Sequence, residues 1–224
     1  MIYNESFVTH TMMRRNRCYD CIITDPPYRN ISGGKGTPGN GSPSGMLTEN
    51  DGRIFDHNDI TPEQYAPILF RLVTDPGHLW IFCNEMNRRR MEDAMLAAGF
   101  KTHFLGAWIK SNKVVNRWGM KNGELLFLFR KGAARGLYTP SLEQFIYCPS
   151  VPPSGKMHPT QKPVNLMRKL VDASSLPGET VFDPFMGAGS TGVAAVQAGR
   201  RFEGCEIDPQ YFETAQYRIA RAHL

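Results

Sequence analysis

Asp25-Pro26-Pro27-Tyr28 follows directly on the apolar run Cys21-Ile22-Ile23. A strand that ends in Asp-Pro-Pro presents the carboxylate at its carboxyl end, where open α/β sheets bind ligands, and the prolines fix the backbone beyond it. A carboxylate and an adjacent main-chain carbonyl, here Asp25 and Pro26, can accept the two N–H bonds of one amine. That matters for an exocyclic amine of adenine or cytosine, whose lone pair is delocalised into the ring until both N–H bonds are held. Tyr28 can stack on the ring. In a duplex the base must first be flipped out, and stacking worth about 1–3 kcal/mol is comparable to that cost. By itself the tetrapeptide fits a strand-ending turn with a surface tyrosine as well.

A second constellation runs from Val181 to Gly192, with an apolar strand, Asp183-Pro184-Phe185, a glycine turn and then a helix. Gly187, Gly189 and Gly192 satisfy G-x-G-x-x-G, whose glycines permit a tight turn and close approach of a ligand to backbone; Ser190 and Thr191 lie within it. Glu206 ends the next apolar run, where an acid can take both hydroxyls of an adenosine ribose. This much serves a dinucleotide or S-adenosylmethionine alike. Asp183 at the turn suits the cationic methionine end of the latter and is ill placed for a pyrophosphate.

The third constellation is His158-Pro159-Thr160-Gln161-Lys162-Pro163. Thr160 and Lys162 can hydrogen-bond and charge-pair a carboxylate, though a proline-rich segment leading into a helix with a solvated lysine reads the same way.

These residues need a scaffold that brings strand ends together. Short apolar runs alternate with amphipathic stretches, as expected of a sheet with helices on its faces. The runs predict strands over Asp20 to Thr24, His78 to Cys83, His103 to Ile109, Glu124 to Phe129, Thr180 to Phe182 and Arg201 to Glu206, with Met1 to Tyr3 as an edge strand. Helical spacing predicts helices over Thr61 to Leu72, Asn87 to Ala98, Pro163 to Ser174, Ser190 to Ala198 and Pro209 to Ala222. Glu124 to Phe129 is expected to form an antiparallel hairpin with His103 to Ile109. Two stretches fit no core element: residues 29–58, rich in Gly, Pro, Ser and Asn, and residues 132–157, which hold Pro140, Pro149, Pro152 and Pro153.

A chain of 224 residues suits one α/β domain, residues 1–224. With 41% hydrophobic and 21% charged residues, neither a disordered nor a fibrous chain is indicated. Apolar runs such as Leu125 to Phe129 are too short to span a bilayer, so no membrane partner and a cytoplasmic location are expected. Five widely spaced cysteines argue against a disulfide framework, and the lone Cys18-x-x-Cys21 lacks a second ligand pair, so no metal is expected. The net charge of +5 suits a polyanion without requiring one. Lys35, Arg53, Lys110, Lys113, Arg117, Lys121, Arg130, Lys131 and Arg135 lie in or beside the expected loops, and Trp108 and Trp118 flank part of this set. A rim of phosphate contacts is compatible with them, but scattered lysines and arginines are ordinary surface residues and none is singled out as a contact.

Taken together, Asp25 to Tyr28, His158 to Pro163, Asp183 to Gly192, and Glu206 with Tyr211 resemble the amino-group DNA methyltransferases of the N6-adenine and N4-cytosine type. The tetrapeptide precedes the glycine turn, which resembles the beta arrangement of that family. The resemblance implies a Rossmann-like methyltransferase fold: a doubly wound, mostly parallel sheet with one antiparallel strand and permuted motif order. It implies S-adenosylmethionine as cofactor, Asp25, Pro26, Pro27 and Tyr28 as catalytic residues, and double-stranded DNA with a flipped base as substrate. Contacts to the cofactor would come from Asp25, His158, Thr160, Lys162, Asp183, Pro184, Phe185, Gly187, Gly189, Ser190, Thr191 and Glu206. Residues 132–157 map onto the target-recognition region, shorter than tight specificity would need, and a homodimer is compatible. Asp at the first tetrapeptide position resembles the adenine enzymes, Ser being usual in the cytosine ones. Tyr3-Asn4-Glu5 stands where family members carry a Gly-Asp-Cys-like segment near the cofactor. A nicotinamide-dependent dehydrogenase would account for the glycines alone and leave Asp25 to Tyr28 unexplained. Enzymes acting on protein amides or RNA usually carry Asn first in the tetrapeptide, and a catalytically dead DNA-binding module has no use for an intact acid and aromatic ring.

Overall fold

A computed structural model of the chain describes residues 1–28, 30–32, 47–49, 59–116, 119–133 and 135–223. In chain order the elements are β1 (Ile2–Tyr3), α1 (Phe7–Thr11), β2 (Tyr19–Thr24), β3 (Asn30–Ser32), β4 (Leu47–Glu49), α2 (Pro62–Leu72), β5 (Val73–Cys83) and α3 (Arg88–Ala97). There follow β6 (Lys101–Asn116), β7 (Gly119–Lys131), β8 (Phe145–Tyr147), α4 (Val164–Ser174), β9 (Thr180–Asp183), α5 (Ser190–Gln197), β10 (Arg201–Cys205) and α6 (Pro209–Ala220).

Eight strands form one sheet in the order β1-β10-β9-β2-β5-β7-β6-β8, and β3 pairs with β4 separately. All neighbours in the large sheet are parallel except β7, which is antiparallel to both β5 and β6. The expected hairpin is present with Trp108 opposite Glu124 and Gly106 opposite Leu126. From β2 the chain crosses by α2 to β5 on one side, and from β9 by α5 to β10 on the other. The adjacent strands β2 and β9 therefore flank a topological switch point, where departing connections leave a crevice at the strands' carboxyl ends.

Alternation along β2 assigns one residue set to each sheet face. Cys21 and Ile23 join Trp80, Phe82, Val181 and Leu128 beneath α4 and α5, through Leu166, Leu170, Val171 and Ala194. Ile22 joins Leu79, Ile81, Phe127 and Phe182 beneath α2 and α3, through Leu69, Leu72, Met91 and Met95. Covering on both faces explains why the central strands read as continuous apolar runs. Among the described residues no helix is long and apolar enough to cross a membrane.

The structure adds elements the sequence did not announce. Helix α1 has five residues, too few for a helical period, and is started by the Ser6 hydroxyl accepting from the Val8 amide. Strand β8 lies in the stretch expected to be irregular and sits beside β6 because residue 106 is glycine: a Cβ there would come within 2.1 Å of the Gln144 carbonyl oxygen. Strands β6 and β7 run past the expected limits to Asn116 and Gly119. The pair β3–β4 falls within the loop expected over residues 29–58.

Gly192 opens the interior of α5 to its neighbours. A Cβ at this position would lie 2.5 Å from Ile219 Cδ1 and 2.7 Å from Phe202 Cε1. In an open helix Gly→Ala is stabilising by about 1 kcal/mol, but overpacking of a core costs about 1–3 kcal/mol. Gly192→Ala is expected to lower the unfolding free energy in a urea titration; a rise would show that α6 yields without cost.

Candidate active site

The carboxyl ends of β2, β9 and β10, the segment before α4 and the start of α1 enclose a cavity of about 620 Å³, within the range of small-molecule sites. Asp25, Pro26, Pro27 and Tyr28 wall one side; Asp183, Pro184, Phe185, Gly187, Ser190 and Thr191 form the floor; Glu206 stands at the far side and His158, Thr160 and Lys162 close over it. Gly189 does not reach the cavity wall. It faces α6, where a Cβ would lie 2.9 Å from that of Ala215, and its φ of +75° is left-handed. Glycine there serves the turn and helix packing.

Asp183 is 3% exposed, and its carboxylate is already engaged. Oδ1 accepts from the Thr24 hydroxyl at 2.9 Å and the Phe185 amide at 3.1 Å, and Oδ2 accepts from the Thr191 hydroxyl at 2.6 Å. The side chain expected to greet a cationic ligand thus also joins β2, the turn and α5. Burial outweighs these donors and pushes the carboxyl up to about 7.

Gly187, with φ +50°, donates its amide to Glu206 Oε2 at 2.8 Å, and the Asp208 amide donates to Oε1 at 2.9 Å. Burial raises the Glu206 carboxyl above its usual range despite these bonds. Each oxygen keeps a further lone pair for a ligand hydroxyl. The Asn4 side chain donates to the Glu206 and Ile207 carbonyls at 2.9 and 3.2 Å, while Glu5, Ser6 and Phe7 line the cavity. The His158 ring meets Tyr211 edge-on, centroids 4.2 Å apart, and its Nδ1 lies 3.2 Å from the Thr160 hydroxyl. Burial, aided by the nearby Lys162 charge, lowers His158 to about 4, so its ring is neutral at pH 7.

Beyond the placement of Gly189, two cavity residues are engaged by neighbouring side chains. Lys162, expected against a ligand carboxylate, instead lies between protein carboxylates, bonded to Asp25 Oδ2 and 3.0 Å from Glu124 Oε2. Burial opposes its charge, but Asp25 and Glu124 prevail and hold the ammonium above the ordinary lysine range. Tyr28, expected to offer a ring face, donates its hydroxyl to Asp25 Oδ1 at 2.6 Å. Burial, together with Asp25, raises the phenol well above its ordinary value.

Several proposed surface cations are committed inside the protein. Lys131 is buried and donates to the carbonyls of Phe70 and Val73, Arg135 donates to the Ser174 carbonyl at 2.6 Å, and Lys110 pairs with Glu124 at 2.8 Å. Trp108 is buried as well. Arg130 donates to the Gly132 carbonyl at 2.9 Å. Lys113 and Lys121 remain exposed, Lys121 beside Glu85 at 2.8 Å. Lys35, Arg53, Arg117 and Trp118 lie outside the described residues. Sequence reasoning passed over Glu124, which lies within β7 and pairs with Lys162, and Ile60, which lines the cavity, since nothing local distinguishes an acid within a strand or an isoleucine after a loop.

A doubly wound sheet with a glycine turn and a carboxylate-ended strand at its switch point is the fold of the S-adenosylmethionine-dependent DNA methyltransferases. The family described as DNA methylase matches residues 137–217. The chain is 31% identical over 224 residues to the putative methylase YubD of Escherichia coli (strain K12), covering 90% of this chain and 82% of that one. Two solved structures share its fold. The M1.HpyAVI–SAM complex has a TM-score of 0.72 at 24% identity, with 97% of this chain and 98% of that one covered. The cytosine-N4-specific PvuII DNA methyltransferase has a TM-score of 0.74 at 13% identity, with 97% and 85% covered. The chain belongs to the beta-type DNA amino-methyltransferase family.

Titration of Asp183 supplies a stability test. Its native value of about 7 lies above the ordinary 3.8, so the native state binds the proton more tightly than the unfolded chain. That contribution is fully present below 3.8 and is lost as pH rises through about 7. Wild type should therefore lose stability relative to Asp183→Asn between about pH 4 and pH 7 in urea titrations, and parallel profiles would rule out a raised carboxyl.

Proposed function

We propose that the chain transfers a methyl group from S-adenosylmethionine to an exocyclic amine of a base in double-stranded DNA, N6 of adenine. The observation that carries this reading is the opening of Asp25–Tyr28 and the glycine turn into one cavity at the switch point. A cavity holding only the glycine turn and Glu206 would serve a dinucleotide equally well. The tetrapeptide beside it supplies the acceptors that an amine requires.

The residues present fit the cofactor. Gly187 leaves its backbone open to the cavity, a Cβ there meeting nothing nearer than the His158 ring at 3.5 Å, and Glu206 retains acceptor capacity on the wall. Glu206 would take the ribose hydroxyls, and Asp183 to Phe185 with Thr160 would hold the methionine end. When bound, the cofactor supplies an electrophilic methyl group on a sulfonium centre. That M1.HpyAVI was solved with SAM supports the assignment.

Asp25 and the Pro26 carbonyl would accept the two N–H bonds of a flipped base, and the Tyr28 hydroxyl would leave Asp25 as its ring turns to stack. Proximity and orientation of the nucleophile would supply much of the acceleration. The whole chain would act as one catalytic domain, with residues 132–157 reading the target, and the family resemblance supports a homodimer. The second reading is N4 of cytosine, favoured by the likeness to a cytosine-N4-specific enzyme and by the fact that both amines fit one acceptor pair. Asp at position 25 supports adenine.

Incubation with unmethylated duplex DNA and labelled S-adenosylmethionine, followed by mass analysis of the nucleosides, is expected to yield N6-methyladenine. N4-methylcytosine would move the reading to cytosine, and label in neither would defeat both. Asp25→Ala is expected to lower transfer about a hundredfold or more, while calorimetry still detects cofactor binding; full activity in this variant would remove Asp25 from the chemistry. Glu206→Gln is expected to weaken cofactor binding about tenfold, as loss of a charged hydrogen-bond acceptor does, and unchanged affinity would exclude the ribose contact.

A further inference from the structure

Behind Asp25 lies a run of paired charges, with Lys162 buried and its partners half-buried, that the methyl-transfer reading leaves unused. The Lys162 side chain is 7% exposed and is shared by Asp25 and Glu124. Glu124, on β7, is held in turn by Lys110 at 2.8 Å, and Lys110 lies over the Trp108 ring at 4.6 Å from its centroid. The faces of Phe82 and Trp108 approach Lys162 at 4.8 and 6.0 Å, so water has little access. Charge alternates from Asp25 through Lys162 and Glu124 to Lys110. Glu124 stands outside the cavity wall.

Both oxygens of Asp25 are engaged, one by the Tyr28 hydroxyl and one by Lys162. An amine that donates to this carboxylate must share or displace a donor already there. The stacking role proposed for Tyr28 requires its hydroxyl to leave Asp25. A buried ammonium cannot loosen its hold on a carboxylate unless another takes up the charge. Among the described residues, Glu124 is the other carboxylate within reach of Lys162.

We propose that Glu124 is a positioning residue for the amine acceptor: it holds the Lys162 ammonium while Asp25 gives up part of that ion pair to accept an N–H of the incoming base amine. The inference rests on the methyl-transfer reading of the site. It separates two roles an ion pair can have. A pair that serves only the fold affects melting and leaves turnover alone. A pair that regulates access to Asp25 affects turnover while cofactor affinity stays constant.

The test compares Glu124→Gln, Glu124→Asp, Lys162→Gln and the Glu124→Gln/Lys162→Gln double variant. Readouts are kcat and KM for duplex DNA, and the Kd of S-adenosylhomocysteine by calorimetry, which needs no turnover. Glu124→Gln is expected to lower kcat about tenfold to a hundredfold, as misplacement of a reacting group does, with Kd unchanged. Glu124→Asp keeps the charge at shorter reach and should fall between wild type and Gln. In the Lys162→Gln background the further loss from Glu124→Gln should vanish, because the two act as a unit. A folded Glu124→Gln variant with wild-type kcat overturns the proposal, as do additive losses in the double variant or a Kd that weakens in step with kcat. Should Glu124→Gln not fold, Glu124→Asp decides alone: lowered kcat at constant Kd supports the role and wild-type kcat overturns it. No methyl transfer by the wild-type chain would overturn this inference together with the reading beneath it, whereas a fast Glu124→Gln variant overturns the inference alone.

Discussion

The site depends on the side-by-side pairing of β2 and β9. Their ladder is short, matching Cys21 with Val181 and Ile22 with Phe182, and it is extended at the top by the Thr24 hydroxyl donating to Asp183. Parallel pairing aligns the carboxyl ends, so Asp25 and the glycine turn emerge together. Because the crossovers from these strands leave in opposite directions, a crevice opens between them at their carboxyl ends. A ligand pocket at this place follows from connectivity before any side chain is considered.

Around that pairing the protein accepts buried polar groups that a purely structural core would avoid. Asp183 sits against the cost of desolvation and uses each hydrogen bond to tie an element: β2 through Thr24, its own turn through Phe185 and α5 through Thr191. Asp25, Glu124 and Lys110, each half-buried, form a second group around the buried Lys162, in which removal of one partner would strand the next. Glu124 shows the balance: burial works to raise its carboxyl, yet Lys162 and Lys110 hold it below the usual carboxylate range.

A third network fastens the cavity's rim. His10 on α1 joins Glu5 at 2.8 Å to Glu203 of β10 at 2.7 Å, and the Tyr19 hydroxyl and Arg14 also reach Glu203, each at 2.7 Å. Glu5, Ser6 and Phe7 are thereby held at the cavity by contacts on the neighbouring strand's far side. The first residues of the chain belong to the site although they lie about as far in sequence from Glu206 as the chain allows.

The sequence by itself determined the strands that carry the site, the antiparallel hairpin, the five longer helices and the glycine turn. Each is written in local terms: apolar runs that match the sheet, helical spacing, Pro62 and Pro209 at first turns, and glycines where φ is positive. It also grouped Asp25 to Tyr28, His158, Asp183 and Glu206 as candidates for one site by their residue types, and they line one cavity. Only the tertiary structure decided what those side chains hold. Helix α1 and strand β8 are too short to carry a period and exist through contacts made elsewhere, and Gly189 turned out to face α6. Lys162 reads as a partner for a ligand carboxylate or as a solvated cation until the sheet order sets β2 and β7 on either side of β5 and brings Asp25 and Glu124 to one ammonium. Pairing between residues about 140 positions apart leaves no trace in local composition, since it is fixed by strand order and burial and those belong to the folded chain as a whole.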